Sequence, residues 1–419
     1  MLIEFQVSNF RSLRDRQVFS TVAGNFPEHL ESGSFDPKLP GFGRLLRSCV
    51  IYGPNAAGKT NLLRALQFVQ GLVLNSASAT PSNSAPYSPF MFVKSARTKP
   101  SEFQVTFVQD GVRYEYGISM DAERIRDEWL MEYVNPRGRA IFERTYEDKR
   151  KTYTWKFSSF LKGQRSVWSE ATRSNALFLS TAIQLNSKQL LPVYEWFQKR
   201  LVVIVGVSTL NPVLTLQLLN KPDGKAKLLP FLREADLGIT GIDVKREAMP
   251  SGPGVIVGSP YIEQIPGSAT PNLLRITLSH ATESKQDVGL DLSEESAGTQ
   301  ILFRSAGAWI NVFENGEVLL IDEIDTSLHP LLTRFLIERF HSSVTNPRNA
   351  QLIFTTHNAS LLDQDLFRRD QIWFIEKGAD NASKLYPLTD FKPRNDERLE
   401  SWYLRGRYGA LPLLNEIQN

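Results

Sequence analysis

The chain has 419 residues, 42% of them hydrophobic, and its 48 Lys and Arg stand against 45 Asp and Glu for a formal charge of +3. That length suits a folded protein of about two or three domains, and a charge so near balance neither requires nor excludes nucleic acid and gives no electrostatic reason to expect a membrane surface. A single cysteine, Cys49, excludes an intrachain disulfide framework, five dispersed histidines offer no zinc spacing, and no apolar leader or long apolar span is evident, so the expected location is the cytoplasm.

The segment Leu2 to Leu13 opens with alternating apolar and polar residues, as an edge strand should. Cys49-Val-Ile-Tyr52 is an apolar strand, Gly53-Pro-Asn-Ala-Ala-Gly-Lys-Thr60 follows it, and Asn61 to Val69 reads as a helix. The spacing G-x-x-x-x-G-K-[ST] between strand and helix is that of a phosphate-binding loop. Gly53, Pro54, Asn55, Ala56, Ala57 and Gly58 supply backbone that wraps a polyphosphate with its N–H groups, and the helix start around Asn61 adds a favourable dipole. Lys59 places a charge on the β/γ-phosphates, and Thr60 offers a hydroxyl to Mg²⁺. The chain is therefore expected to bind a nucleoside triphosphate.

Residues 71–101, rich in Ser, Pro, Ala and Asn, read as an exposed loop. Strands follow at Phe103 to Val108 and Arg113 to Ser119 around the turn Gln109-Asp-Gly111, then at Ala140 to Thr145 and Thr152 to Phe157, with Asn135-Pro-Arg-Gly138 as a turn. From Ser166 to about Ala235 the leucine spacing is helical, while 245–270 is Gly- and Pro-rich and reads as a flexible or hairpin segment. No sustained a/d heptads occur, which excludes a long coiled coil.

Leu292-Ser-Glu-Glu-Ser-Ala-Gly-Thr-Gln300 precedes a helix, Ile301 to Phe313. Ser296 and Gly298 suit both an N-cap and an anion site, because the two use the same atoms. Glu317-Val-Leu-Leu-Ile-Asp-Glu323 is a buried parallel strand ending in two acids, where ligands gather in an α/β sheet. Asp322 suits the Mg²⁺ shell and Glu323 is placed to polarise an attacking water. A crossover helix, Pro330 to His341, leads to the next strand, Gln351-Leu-Ile-Phe-Thr-Thr-His357. A lone histidine is more often structural, but beside the acidic pair His357 can reach a γ-phosphate.

These pieces together resemble the nucleotide-binding head of ABC-type ATPases, in the branch of SMC proteins, RecF and the OLD-type ATPases. Gly53 to Thr60 resembles their Walker A, Ser296-Ala-Gly298 their signature, Val318 to Glu323 their Walker B, Asp325-Thr-Ser-Leu-His329 their D-loop and His357 their switch histidine. Asn9-Phe-Arg-Ser12 resembles their N-terminal element, and Phe231 to Ile239 a stretch of OLD-like lids. Ala56 in place of glycine and Ala297-Gly-Thr299 in place of Gly-Gly-Gln depart from the transporter pattern and point to the OLD-like branch; Gln104 and Gln109 compete for the Q-loop position.

The resemblance implies an α/β fold: an ABC-type P-loop head with an antiparallel β subdomain and a helical insertion. Residues 1–70 and 286–385 would build the head, 71–165 the loop and β subdomain, 166–285 a lid and dimer platform, and 386–419 a tail. It also implies ATP and Mg²⁺ as ligands, and a homodimer or higher oligomer that sandwiches ATP, with the signature residues Ser296 and Gly298 contributing across the interface and Asp325 among the nucleotide-binding residues. Glu323, His357 and Lys59 would be the catalytic set.

After the last head strand near Ile375, Asp390, Asp396, Glu397 and Glu400 are interleaved with Lys392, Arg394 and Arg398, which reads as a solvated surface and not as the metal site of an appended Toprim nuclease. The tail Trp402-Tyr-Leu-Arg-Gly-Arg-Tyr-Gly-Ala-Leu-Pro412 reads either as aromatics packing on the head or as a recognition surface. It resembles the ends of stand-alone OLD-like ATPases encoded beside a nuclease in anti-phage systems of the RloA, AbiL and PARIS kind. The expected role is a sensor that controls a co-encoded effector, a nuclease. The alternatives are a RecF-like repair ATPase on duplex DNA and an ATP-locked scaffold.

Overall fold

The computed structural model describes the chain except residues 81–85, 135–136, 207–211, 236–237, 249–260, 264–271, 284–285, 395–396 and 413–419, and the side chains of 248, 261–263 and 272. It divides into two compact units: Met1–Val205, Asn315–Asp325 and Leu336–Asn419 form the first, and Gly206–Glu314 with Thr326–Phe335 form the second.

Two sheets build the first unit. A seven-stranded antiparallel sheet runs Thr152–Phe157, Arg139–Glu147, Ile125–Tyr133, Val112–Met120, Ser101–Gln109, Leu2–Ser8, Gln17–Ser20. Its best-signalled piece, the hairpin at Asp110-Gly111, forms because both residues take positive φ, 51° and 75°, the twist that a two-residue turn between right-twisted strands needs. The expected edge position of Leu2–Ser8 is corrected: Gln17–Ser20 pairs outside it, so Leu2–Ser8 is the penultimate strand.

The second sheet is six-stranded, in the order Leu201–Ile204, Val318–Ile321, Gln351–Thr356, Ser48–Tyr52, Ile372–Lys377, Ser383–Pro387. Its first five strands are parallel and the last is antiparallel. Ser48–Tyr52, Val318–Ile321 and Gln351–Thr356 are buried at every position, as a strand covered on both faces requires. A single apolar core joins both sheets to the helix Lys59–Asn75, including Phe107 stacked on Trp196 at 4.2 Å.

Two further expectations change. The helix after the phosphate loop continues from Lys59 to Asn75, so 71–101 is not all loop, and within it Phe90 is fully buried. The helical reading of 166–235 fails at Leu201-Val-Val-Ile204, a β-branched run that pairs in parallel with Val318–Ile321. A partner more than a hundred residues away in sequence outweighs the helical context on either side. The first two residues of the turn at 135–138 and most of 245–270 lie outside the described residues.

In the second unit, Ile239–Ala248 pairs with Asn272–Ala281, and Asp287–Asp291 and Tyr261–Glu263 pair with the latter strand. The helix Ala297–Asn315 passes close to the helix Val213–Leu219 at Gly307, where a Cβ would lie 2.3 Å from the Thr215 nitrogen. Thr215 Oγ1 donates to the Phe303 and Arg304 carbonyls and accepts from the Gly307 N–H, which satisfies the hydroxyl inside an apolar crossing.

The tail is resolved in favour of packing for its tyrosines. Tyr403 and Tyr408 stack on Phe374 at 5.6 and 5.7 Å, and Tyr403 lies 5.7 Å from Tyr52, at the end of the strand that enters the phosphate loop. Trp402 is exposed, with the Arg407 guanidinium 4.9 Å from its ring centre. Among the described residues no helix is long and apolar enough to cross a membrane.

Candidate functional site

The parallel strand order brings the sequence motifs of the first unit together. Ser48–Tyr52 delivers the loop 53–60 at its C-terminal end, and Gln351–Thr356 lies between it and Val318–Ile321. The ends of three neighbouring parallel strands therefore present Gly53, Asp322 and His357 on one rim, where an open α/β sheet collects its ligands.

The loop is held open by its glycines. Gly58 has φ 114°, and a Cβ there would lie 2.3 Å from Ser383 Oγ; a Cβ on Gly53 would lie 2.2 Å from the Ile375 carbonyl oxygen. Ala56 takes φ 62° without being glycine, a conformation costing about 1 kcal/mol or more that the native loop imposes. Asn55 and Ala56 are exposed, Pro54, Thr60 and Asn61 half-buried, and Gly53, Ala57, Gly58 and Lys59 buried. Lys59 Nζ donates to the Gly53 and Pro54 carbonyls at 2.7 and 3.1 Å. The ammonium thus closes the loop on itself, at the centre of the ring its backbone describes.

Thr60 Oγ1 donates to Asp322 Oδ2 at 2.7 Å, joining the first residues of the helix to the strand end. The other carboxylate oxygen, Oδ1, accepts from Thr355 Oγ1 at 2.7 Å, and the same hydroxyl accepts from the Glu323 N–H at 2.7 Å. Glu323 itself has φ 51°, so it turns out of the strand direction, and half of its side chain is exposed. His357 Nδ1 lies 3.5 Å from Lys59 Nζ, and its Nε2 lies 3.7 Å from Glu323 Oε1. An ammonium that donates to Nδ1 leaves the ring proton on Nε2, facing the carboxylate.

The electrostatics follow from burial. Desolvation pushes the Lys59 ammonium down to about 8, against the pull of Asp322, Glu323 and Asp325. Burial first, and then Lys59, push the His357 imidazolium below its ordinary value. Burial thus penalises both cations despite the acids nearby, a cost that an arriving polyphosphate would offset.

A second set of hydroxyls, Ser12 of the N-terminal motif and Ser383, which no motif marks, supports the loop from behind. Ser12 Oγ accepts from Asn61 Nδ2 and from Ser383 Oγ, both at 2.8 Å, and Ser383 Oγ also lies 2.5 Å from the Ala57 carbonyl. The Asn-Phe-Arg-Ser element thereby acquires a physical role, in which Ser12 braces the loop and Asn9 ties down the chain near it through bonds to Ala96 and Lys99.

Asp325 also belongs to the first unit, and its Oδ1 is buried with no hydrogen-bond partner among the described atoms. Ser296 and Gly298 belong to the second unit. Ser296 caps its helix, accepting from the Thr299 N–H at 3.1 Å, and a Cβ on Gly298 would lie 2.9 Å from the Ser327 carbonyl. A cavity of about 930 Å³ borders the first residues of the phosphate loop, lined also by His357, Lys377, Tyr403, Leu404 and Leu411.

The residues fit a magnesium nucleotide. Mg²⁺ keeps several waters and takes one or two protein oxygens together with phosphate oxygens, and the Thr60 hydroxyl beside the Asp322 carboxylate is such a pair. When bound, the ion would neutralise phosphate charge.

Residues 49–363 match the family model described as "AAA domain, putative AbiEii toxin, Type IV TA system". No curated protein matches the sequence. Among solved structures, the SMC head domain of Pyrococcus furiosus, with an extended coiled coil and bound to the C-terminal domain of ScpA, is similar at 12% identity over 93% of this chain and 97% of that one. Its TM-score, 0.39, is too low to support an argument.

Proposed function

The chain belongs to this AAA-domain family, and from that premise we propose that it is an ATP-hydrolysing switch that dimerises around nucleotide and controls a separate effector, a nuclease, in anti-phage defence. The observation that carries the reading is the convergence of Lys59, Thr60, Asp322, Glu323 and His357 at the ends of adjacent parallel strands. Lys59 would leave the loop carbonyls for the β/γ-phosphates. Glu323 would accept a proton from the water that attacks the γ-phosphorus, and the Nε2–H of His357 would face the same oxygens. The family's description speaks of a toxin–antitoxin setting, which supports a defence role. Glu397, one of the tail acids, accepts from the Tyr408 hydroxyl and pairs with Arg407 at 3.1 Å, which supports a packing role for it.

The dimer is tested by mixing. If Ser296 completes the site of the other subunit, Lys59→Ala and Ser296→Arg chains together give heterodimers with one doubly defective site and one intact site. Partial recovery of ATP hydrolysis is expected, and no recovery in verified heterodimers sinks the trans arrangement. Salt-dependent binding of duplex DNA by the nucleotide-bound protein would instead favour the RecF-like alternative. For the effector, expression alone should leave the host unharmed, while expression with the neighbouring gene should give a complex and growth arrest on phage challenge. Metal-dependent cleavage of DNA or RNA by the purified single chain overturns that part.

A further inference from the structure

We propose that Thr355 is a positioning residue that sets both acids of the site, aiming Asp322 at the metal and fixing the backbone from which Glu323 projects. This rests on the nucleotide-site reading above.

Thr355 is fully buried and one residue from the end of Gln351–Thr356. That strand lies between the one leading to Asp322 and the one leading to the phosphate loop, in register with both: Ile321 pairs with Phe354, and Thr355 with Ile51. A hydroxyl has one proton. The Glu323 N–H donates to Thr355 Oγ1, so that oxygen spends a lone pair there and its own proton goes to Asp322 Oδ1, each over 2.7 Å. The Thr355 carbonyl, in turn, accepts from the Ile324 N–H at 3.1 Å. Three consecutive residues after the strand are thus tied to one threonine, and the middle one carries φ 51°.

The consequence is directional. With Oδ1 held by Thr355, the Asp322 carboxylate cannot rotate, and Oδ2 stays on the Thr60 side, 2.7 Å from its hydroxyl. Without the hydroxyl, Asp322 is free to turn and the strained Glu323 backbone loses the acceptor that holds its N–H. Partners that orient a metal-binding carboxylate typically matter by about 10–100-fold in metal affinity or activity.

Thr355→Val removes the hydroxyl at nearly constant shape, while Thr355→Ser and Thr355→Ala share the lost methyl and differ only in the hydroxyl. The probe is a fluorescent non-hydrolysable ATP analogue, titrated in EDTA and then with Mg²⁺, together with kcat and KM for ATP. For Val and Ala the Mg²⁺ concentration at half-maximal binding should rise by about 10-fold or more, with kcat falling more than KM changes and with metal-free binding unchanged. Ser should stay near the parent. Parental Mg²⁺ dependence and kcat in Ala and Val overturn the proposal, as does a Ser variant as impaired as Ala, which would assign the effect to the methyl. Should Val fail to fold, the Ser and Ala pair decides. A parental protein with no Mg²⁺-dependent nucleotide binding fells the nucleotide reading itself, and this one with it.

Discussion

Lys59→Ala is expected to abolish tight nucleotide binding, with an affinity loss of at least about 100-fold, the size of two charge-assisted hydrogen bonds at roughly 1.5–3 kcal/mol each. The ammonium is buried, donates to backbone carbonyls at 2.7 and 3.1 Å and lies beside His357. It is the charge that the loop itself brings to a polyphosphate, and alanine brings none. The same substitution should not unfold the protein through charge. Burial has pushed this lysine down to about 8, so its charged form is penalised in the folded chain. That penalty is present below about pH 8 and fades as pH rises past the ordinary lysine value. Lys59→Met, which keeps the stem, should therefore melt no lower than the parent near neutral pH, while binding no better than Lys59→Ala. Isothermal titration with ATP and a thermal melt make the measurement, and parental hydrolysis by Lys59→Ala removes the phosphate-loop assignment.

The parts of this site that the sequence reveals are those whose physics is local. The loop 53–60 needs its glycines and Lys59 within eight consecutive residues, and the helix Pro330–His341 matches its expected bounds because proline at the start fixes φ where no N–H is needed. The acids at 322 and 323 are legible because a fully buried strand reads as an unbroken apolar run. Thr355 and Ser383 are not legible, nor is the role of Ser12 within its motif, because each acts on a residue far away: Ser383 reaches Ala57 and Ser12, and Thr355 reaches Asp322. A serine in a sequence looks the same whether it braces a loop or faces water.

The strand Leu201–Ile204 is hidden for a related reason. Four residues are too few for a period of two to stand out beside helical neighbours, and only the pairing with Val318–Ile321 makes it a strand. The tail shows the opposite limit. Aromatics interleaved with arginine suit both a recognition surface and a packed end, and the choice falls to the residue. Tyr403 and Tyr408 are buried against Phe374, their hydroxyls bonded to the Ala410 carbonyl and to Glu397, whereas Leu404 remains 59% exposed.

Glu323→Gln is expected to separate binding from chemistry. The amide keeps the size of the carboxylate and its acceptor oxygen, but it cannot take a proton. The backbone is not disturbed, because the Glu323 N–H remains on Thr355 Oγ1 and φ 51° is already accepted at this position. Phosphate contacts belong to other residues: the loop, Lys59 and Thr60. ATP affinity should therefore stay within about 2-fold of the parent while kcat falls by roughly 10²–10⁴, the usual contribution of a general base. His357, 3.7 Å from Glu323 Oε1, is too far for a firm hydrogen bond and, kept neutral by burial, is a weaker base than an ordinary histidine. If closure around ATP is what the switch reads, slowed hydrolysis should also lengthen the life of the closed dimer, seen as a larger species that persists with ATP and Mg²⁺ on size-exclusion chromatography. A Gln variant that turns over ATP at the parental rate removes Glu323 from the role of base. One that hydrolyses slowly but shows no longer-lived dimer leaves the chemistry in place and removes hydrolysis as the step that opens it.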